Sequence, residues 1–182
     1  MSFVGALSGF QSLSRRRFLR VSLGVGVAVG GLGGSVVALR GCAPDVAALR
    51  VLSPHAYRTL TALATALFPV GGVVPPGAAS MDLARAFDAF LADEPEHHRR
   101  DLSRALLWLE YGPVIHDRRL RTFSRLEEHE RLAHFESWLT SDSLVRRQVG
   151  TAFRKFLSVV FYDRPEVWPY LGYEGPLFGG AK

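Results

Sequence analysis

Ser53-Pro54-His55-Ala56-Tyr57-Arg58-Thr59-Leu60-Thr61-Ala62-Leu63-Ala64-Thr65-Ala66-Leu67-Phe68-Pro69 decides the fold class of this chain. Serine before proline is a helix start. The serine oxygen satisfies a free amide, and the N–H that proline lacks is one the first helical turn does not use. Leu60, Leu63, Ala64 and Leu67 then recur at three- and four-residue spacing, which places them on one face of an α-helix. Pro69 cannot extend the hydrogen-bond ladder and disfavours helical backbone at Phe68, so the run ends there.

The same period repeats toward the C-terminus. Residues 69–80 (Pro-Val-Gly-Gly-Val-Val-Pro-Pro-Gly-Ala-Ala-Ser) read as a stiff loop punctuated by glycine and proline. Ser80 is the expected cap of a second helix with Leu83, Phe87, Phe90 and Leu91 on one face. Pro95 opens a third, with Leu102, Ala105, Leu106 and Leu109 inward and Trp108 alongside, predicted to stop at Gly112-Pro113. Ser124 to Glu127 has capping-box spacing before Leu132, Phe135, Trp138 and Leu139. After Ser141-Asp142, Val145, Val149, Ala152, Phe153, Phe156, Leu157 and Val160 mark a last long helix. No segment past the leader shows the Val/Ile-rich alternation of a strand. The expectation is an all-α fold: a small bundle of about five helices in one domain, residues 43–182, with an irregular C-terminal segment.

That segment, residues 161–178, sets Phe161, Tyr162, Trp168, Tyr170, Tyr173 and Phe178 among three prolines and two glycines. Such a composition predicts neither regular helix nor strand. Its rings either fold back onto the helices or cover a partner, because a free aromatic patch is unfavourable in water. Pro76, Tyr162, Trp168, Tyr170, Tyr173 and Pro176 are the expected partner contacts, since Trp and Tyr dominate interface hot spots.

The first forty residues are of another kind. Ser14-Arg15-Arg16-Arg17-Phe18-Leu19-Arg20 fits the twin-arginine export pattern S-R-R-x-F-L-K, with Arg for the final Lys. The run from 21 to 39 is uncharged, with glycine at 24, 26, 30, 31, 33 and 34. Each glycine costs a helix roughly 1 kcal/mol relative to alanine, so this is a weak membrane span. Weak hydrophobicity behind paired arginines separates such a leader from ordinary secretory signals. Residues 1–42 are therefore read as a twin-arginine signal peptide, with Ser14, Arg15, Arg16, Phe18 and Leu19 as its recognition core. Cleavage and retention as a single anchor both remain open. Leu39-Arg40-Gly41-Cys42 resembles a lipobox, with Arg40 against it, so the sole cysteine, Cys42, is the candidate lipidation site. Acyl chains there would hold the protein at the membrane surface.

The leader also accounts for the charge. The chain carries 22 Lys and Arg against 17 Asp and Glu, a net +5, but residues 1–41 hold five arginines and no acid. The remaining 17 basic residues balance the 17 acidic ones, so there is no electrostatic footprint for nucleic acid. One cysteine excludes an internal disulfide, a Cys-based zinc site and an iron–sulfur cluster. His97, His98, His116, His129 and His134 are expected on solvated faces. His129 and His134 are five apart, and two ligands on one helix face need spacing of three or four, so no metal site is assigned. Neither a nucleophile elbow nor a phosphate loop is present, and no catalytic residue is assigned.

Taken with the leader, Leu60-Thr61-Ala62-Leu63-Ala64 running to Leu67-Phe68-Pro69, the loop Pro76-Gly77-Ala78, and the closing Phe161-Tyr162 … Pro165-Glu166-Val167-Trp168 … Gly172-Tyr173-Glu174-Gly175-Pro176 resemble the gluconate 2-dehydrogenase subunit 3 family. The resemblance covers residues 53–178, and the C-terminal motif is its most specific part. It implies a small subunit that binds no cofactor and is not itself an enzyme. The partner it implies is a large FAD-dependent subunit of the glucose–methanol–choline (GMC) oxidoreductase type, acting on a sugar or alcohol, often with a cytochrome c subunit. FAD is loaded in the cytoplasm, so such a partner crosses the membrane folded. The resemblance implies that this chain lends it the signal for the twin-arginine translocase and stays bound in the periplasm or at the periplasmic face of the membrane. The alternative is a stand-alone envelope lipoprotein or binding module.

Overall fold

In a computed structural model, residues 46 and 48–175 are described; they belong to the second of the two units into which the chain divides, residues 42–182. The leader residues Ser14, Arg15, Arg16, Phe18 and Leu19, together with Cys42 and Pro176, lie outside the described residues.

The described residues form an all-α bundle: α1 (Pro54–Leu67), α2 (Leu83–Ala92), α3 (Glu96–His116), a 3-10 turn (Phe123–Arg125), α4 (Glu128–Leu139), α5 (Leu144–Tyr162) and a single-turn α6 (Trp168–Leu171). No strand occurs among them, and no helix among them is long and apolar enough to cross a membrane. α1 starts as its sequence dictates, with Ser53 Oγ accepting from the Ala56 amide at 3.2 Å. It is the central helix, packed against α2, α3, α4 and the 3-10 turn, while α5 closes over α2 and α4. Leu60, Leu63, Phe87, Leu91, Leu106, Leu109, Phe123, Phe135, Trp138 and Leu157 are fully buried where these helices meet. Burying each such side chain contributes roughly 1.5–3 kcal/mol.

Four local expectations are corrected. The cap of α2 is Asp82, not Ser80: its carboxylate accepts from the Arg85 amide at 3.2 Å, and its backbone is left-handed with φ 43°. Ser80 instead donates to the Gly77 carbonyl at 2.8 Å. α3 does not stop at Gly112-Pro113 but runs on to His116, with both residues buried. Glycine is needed there because α3 and α4 approach closely. A Cβ on Gly112 would lie 2.7 Å from His134 Nε2 and 3.0 Å from Trp138 Cζ2.

The box that starts α4 joins Glu127 and Glu130, not Ser124 and Glu127; the Glu127 amide donates to the Glu130 carboxylate at 3.1 Å. Ser124 is drawn away by buried Glu110, which accepts from its amide at 3.0 Å and its hydroxyl at 2.7 Å, and from the Thr59 hydroxyl at 2.9 Å. Finally, the C-terminal segment is not wholly irregular. Phe161 and Tyr162 finish α5, and Trp168–Leu171 makes one helical turn closed by Gly172 at φ 66°.

Candidate functional site

Of the residues expected to meet a partner, the described ones, Pro76, Tyr162, Trp168, Tyr170 and Tyr173, gather at one end of the bundle, and Phe68 is the reason. This residue caps α1, its amide donating to the Ala64 carbonyl at 2.9 Å. Its own carbonyl accepts from the Ala78 amide at 2.8 Å, so the loop must return to where it left. Two more bonds stiffen the loop, Gly71 N–H to the Pro75 carbonyl at 3.0 Å and Gly72 N–H to the Pro69 carbonyl at 3.3 Å. Gly77 lies so close to the Phe68–Val70 backbone that a Cβ would sit 2.5 Å from the Val70 nitrogen; only glycine fits. Pro76, just before it, is half-buried, while Val70 and Val73 project into solvent.

The Phe68 ring joins this loop to the C-terminal segment. It stacks on Phe161 at 4.1 Å with planes 11° apart, and meets Tyr162 edge-on at 6.3 Å. Trp168 continues the series, its indole N–H donating to the Tyr162 carbonyl at 3.1 Å. Tyr173 packs edge-on against Trp168 at 5.3 Å, and the Tyr173 amide donates to the Trp168 carbonyl at 3.1 Å.

The segment therefore divides its side chains. Phe161 and Val167 are buried in the bundle, and Trp168 is half-buried as a support. Tyr162, Tyr170, Leu171 and Tyr173 are each about half exposed, at 47–54 %. With Val70 and Val73, they give this end an apolar, tyrosine-rich surface on a backbone that is already fixed. Little ordering entropy then remains to be lost on binding. Such side chains make strong anchors when a partner covers them.

Elsewhere, three buried polar groups have partners that nothing local in the sequence names. Glu110 ties α1 and α3 to the 3-10 turn, as described above. Asp88 on α2 accepts backbone amides from residues 50–52. His134 is 5 % exposed rather than solvated. Its Nε2 accepts from the Trp138 indole N–H at 3.0 Å, so Nδ1 carries the proton and donates to Asp117 Oδ2 at 2.6 Å. Burial lowers the His134 pKa, and the nearby charges of Arg146 and Arg119 add to this against the opposing pull of Asp117. The ring is thus held neutral between a donor and a carboxylate.

An open cavity of about 300 Å³ lies between α1 and α2, lined by Tyr57, Thr61, Thr65 and Asp82 with alanines. The Tyr57 hydroxyl donates to Asp82 at 2.6 Å. Burial alone would raise the Asp82 carboxyl, but the bonds from Tyr57 and Arg85 outweigh it and hold it below its usual range. That carboxylate is occupied in capping α2. Among the described residues, no three His, Cys, Asp or Glu side chains converge on a point where a metal ion could sit.

No protein-family model, curated protein or solved structure matches this chain.

Proposed function

We propose that this chain is a non-catalytic accessory subunit. It carries a folded FAD-dependent GMC-type sugar or alcohol dehydrogenase through the twin-arginine translocase and remains bound to it on the periplasmic side. One observation carries the docking half of this reading: a stiff loop and an aromatic segment, far apart in sequence, join through Phe68, Phe161 and Tyr162 and hold valine and tyrosine side chains out in solvent at the same end. A partner covering that end gains apolar burial without having to order it. The export half rests on Ser14 to Leu19, and the identity of the cargo on the sequence resemblance. A cytochrome c subunit would complete the electron path in the same assembly.

The test is substitution of both Arg15 and Arg16 by lysine in cells that make the partner. This should leave this chain and the flavoprotein together in the cytoplasm. A flavoprotein that still reaches the envelope would refute the carrier role.

A further inference from the structure

Asp88 lies in the middle of α2 and is 2 % exposed. Its carboxylate accepts three consecutive backbone amides from far upstream: Arg50 at 2.6 Å, Val51 at 3.0 Å and Leu52 at 2.7 Å. Residues 50–52 belong to no helix, so this one side chain supplies what a helix or a sheet would otherwise supply to their amides. The boundary it makes is abrupt. Leu52 is buried at 4 % exposure, the Arg50 side chain is exposed, and Ala48 is exposed with a left-handed φ of 58°.

We propose that Asp88 is a latch that fixes where N-terminal processing of this chain stops. It withholds the Arg50–Val51 peptide bond from proteases, so the native N-terminus lies on the leader side of that bond. An endopeptidase needs free backbone on both sides of the bond it cuts, because it takes its substrate as an extended strand. Arg50 offers an accessible side chain to a protease specific for basic residues, but the amides of Arg50, Val51 and Leu52 are all held by the carboxylate. Hydrolysis there would add one water and leave a carboxylate on Arg50 and an amine on Val51. It can proceed only from molecules in which the latch is open. Protection of the bond is independent of how the protein is exported; the position of the native N-terminus rests on residues 1–42 being a leader.

The test is limited trypsin digestion of the full chain under native conditions, read by intact mass. In the wild type, cutting after Arg50 should be slow. Asp88→Asn replaces one acceptor oxygen by a donor and should raise that rate at least about tenfold, as the open population rises. Amide exchange on the wild type gives a reading that needs no variant: Arg50, Val51 and Leu52 should be protected relative to Ala48, and this decides the matter if Asp88→Asn fails to fold. Equal cutting rates in wild type and a folded Asp88→Asn, unprotected amides at 50–52, or a native chain beginning at Val51 or later would each overturn the proposal.

Discussion

Gly112→Ala sets two known effects against each other at one atom. Replacing a helical glycine by alanine favours the helix by about 1 kcal/mol. The added Cβ, however, would stand 2.7 Å from His134 Nε2 and 3.0 Å from Trp138 Cζ2. His134 cannot swing aside freely, because both its nitrogens are bonded, to Trp138 at 3.0 Å and to Asp117 at 2.6 Å. Relieving the overlap separates α3 from α4 at a cost of about 1–3 kcal/mol, and disturbing the two hydrogen bonds adds about 1 kcal/mol each. The clash wins, leaving a net loss of about 2–4 kcal/mol and lowering Tm by about 6–12 °C. Gly150→Ala is the matched control. Its Cβ would meet a rotatable Leu139 methyl at 3.1 Å and Trp138 Cβ at 3.3 Å. There the helix gain offsets a mild contact, and stability should stay within about 1 kcal/mol of wild type. Urea unfolding of the full chain, followed by tryptophan fluorescence, measures both. A Gly112→Ala protein as stable as wild type would refute the close-approach argument.

Further outcomes follow from the buried polar groups and the exposed ring surface. Because folding lowers the His134 pKa, the unfolded chain binds the extra proton first. Its contribution is intact above the unfolded value near 6.5 and is lost as pH falls from there toward the folded value. His134→Gln, measured by urea midpoint between pH 7.5 and 5, should flatten that slope; an unchanged slope would assign the effect to other groups. Glu110→Ala leaves the part-buried Ser124 amide without its acceptor and should cost about 1–3 kcal/mol, whereas Glu110→Gln keeps an acceptor and should cost about half as much or less by the same assay. Tyr170→Ala, at 54 % exposure, should change the urea midpoint by no more than about 0.5 kcal/mol in stability yet weaken partner binding by about 1–2 kcal/mol. A Tyr170→Ala protein that binds as tightly as wild type would remove that ring from the interface.

Periodicity made α1 and α5 legible, because long apolar stripes bury the same faces in the structure that they mark in the sequence. Boundaries were legible only where the cap is local. Ser53 satisfies an amide three residues on, so its role can be read from the string. Ser124 has the right spacing for the same task, but Glu110, fourteen positions away, takes its amide and hydroxyl. Gly112-Pro113 looks like a stop, and tertiary contact reverses the meaning: the glycine is there for the approach of His134 and Trp138, and the helix runs through the proline.

Asp88 and Glu110 did leave a trace. Each falls in register with the buried stripe of its own helix, Leu83, Ala84, Phe87 and Leu91 around one, Leu102, Ala105, Leu106 and Leu109 around the other. An acid on an apolar face signals a buried partner, but nothing local names the partner. The candidate surface was legible as composition, while the stacking of Phe68 on Phe161 that links loop to tail depends on chain ends nearly a hundred residues apart.

The central claim is a bound flavoprotein, and the most direct measurement is affinity capture of the C-terminally tagged full chain from native envelopes. The eluate is read for flavin absorbance and for the mass and stoichiometry of co-purifying chains. A stoichiometric flavoprotein should elute with the wild type, and much less with a chain carrying Tyr170→Ala and Tyr173→Ala together. A wild-type chain that elutes alone and colourless, under conditions that keep complexes intact, would contradict the account and favour a protein that works by itself in the envelope.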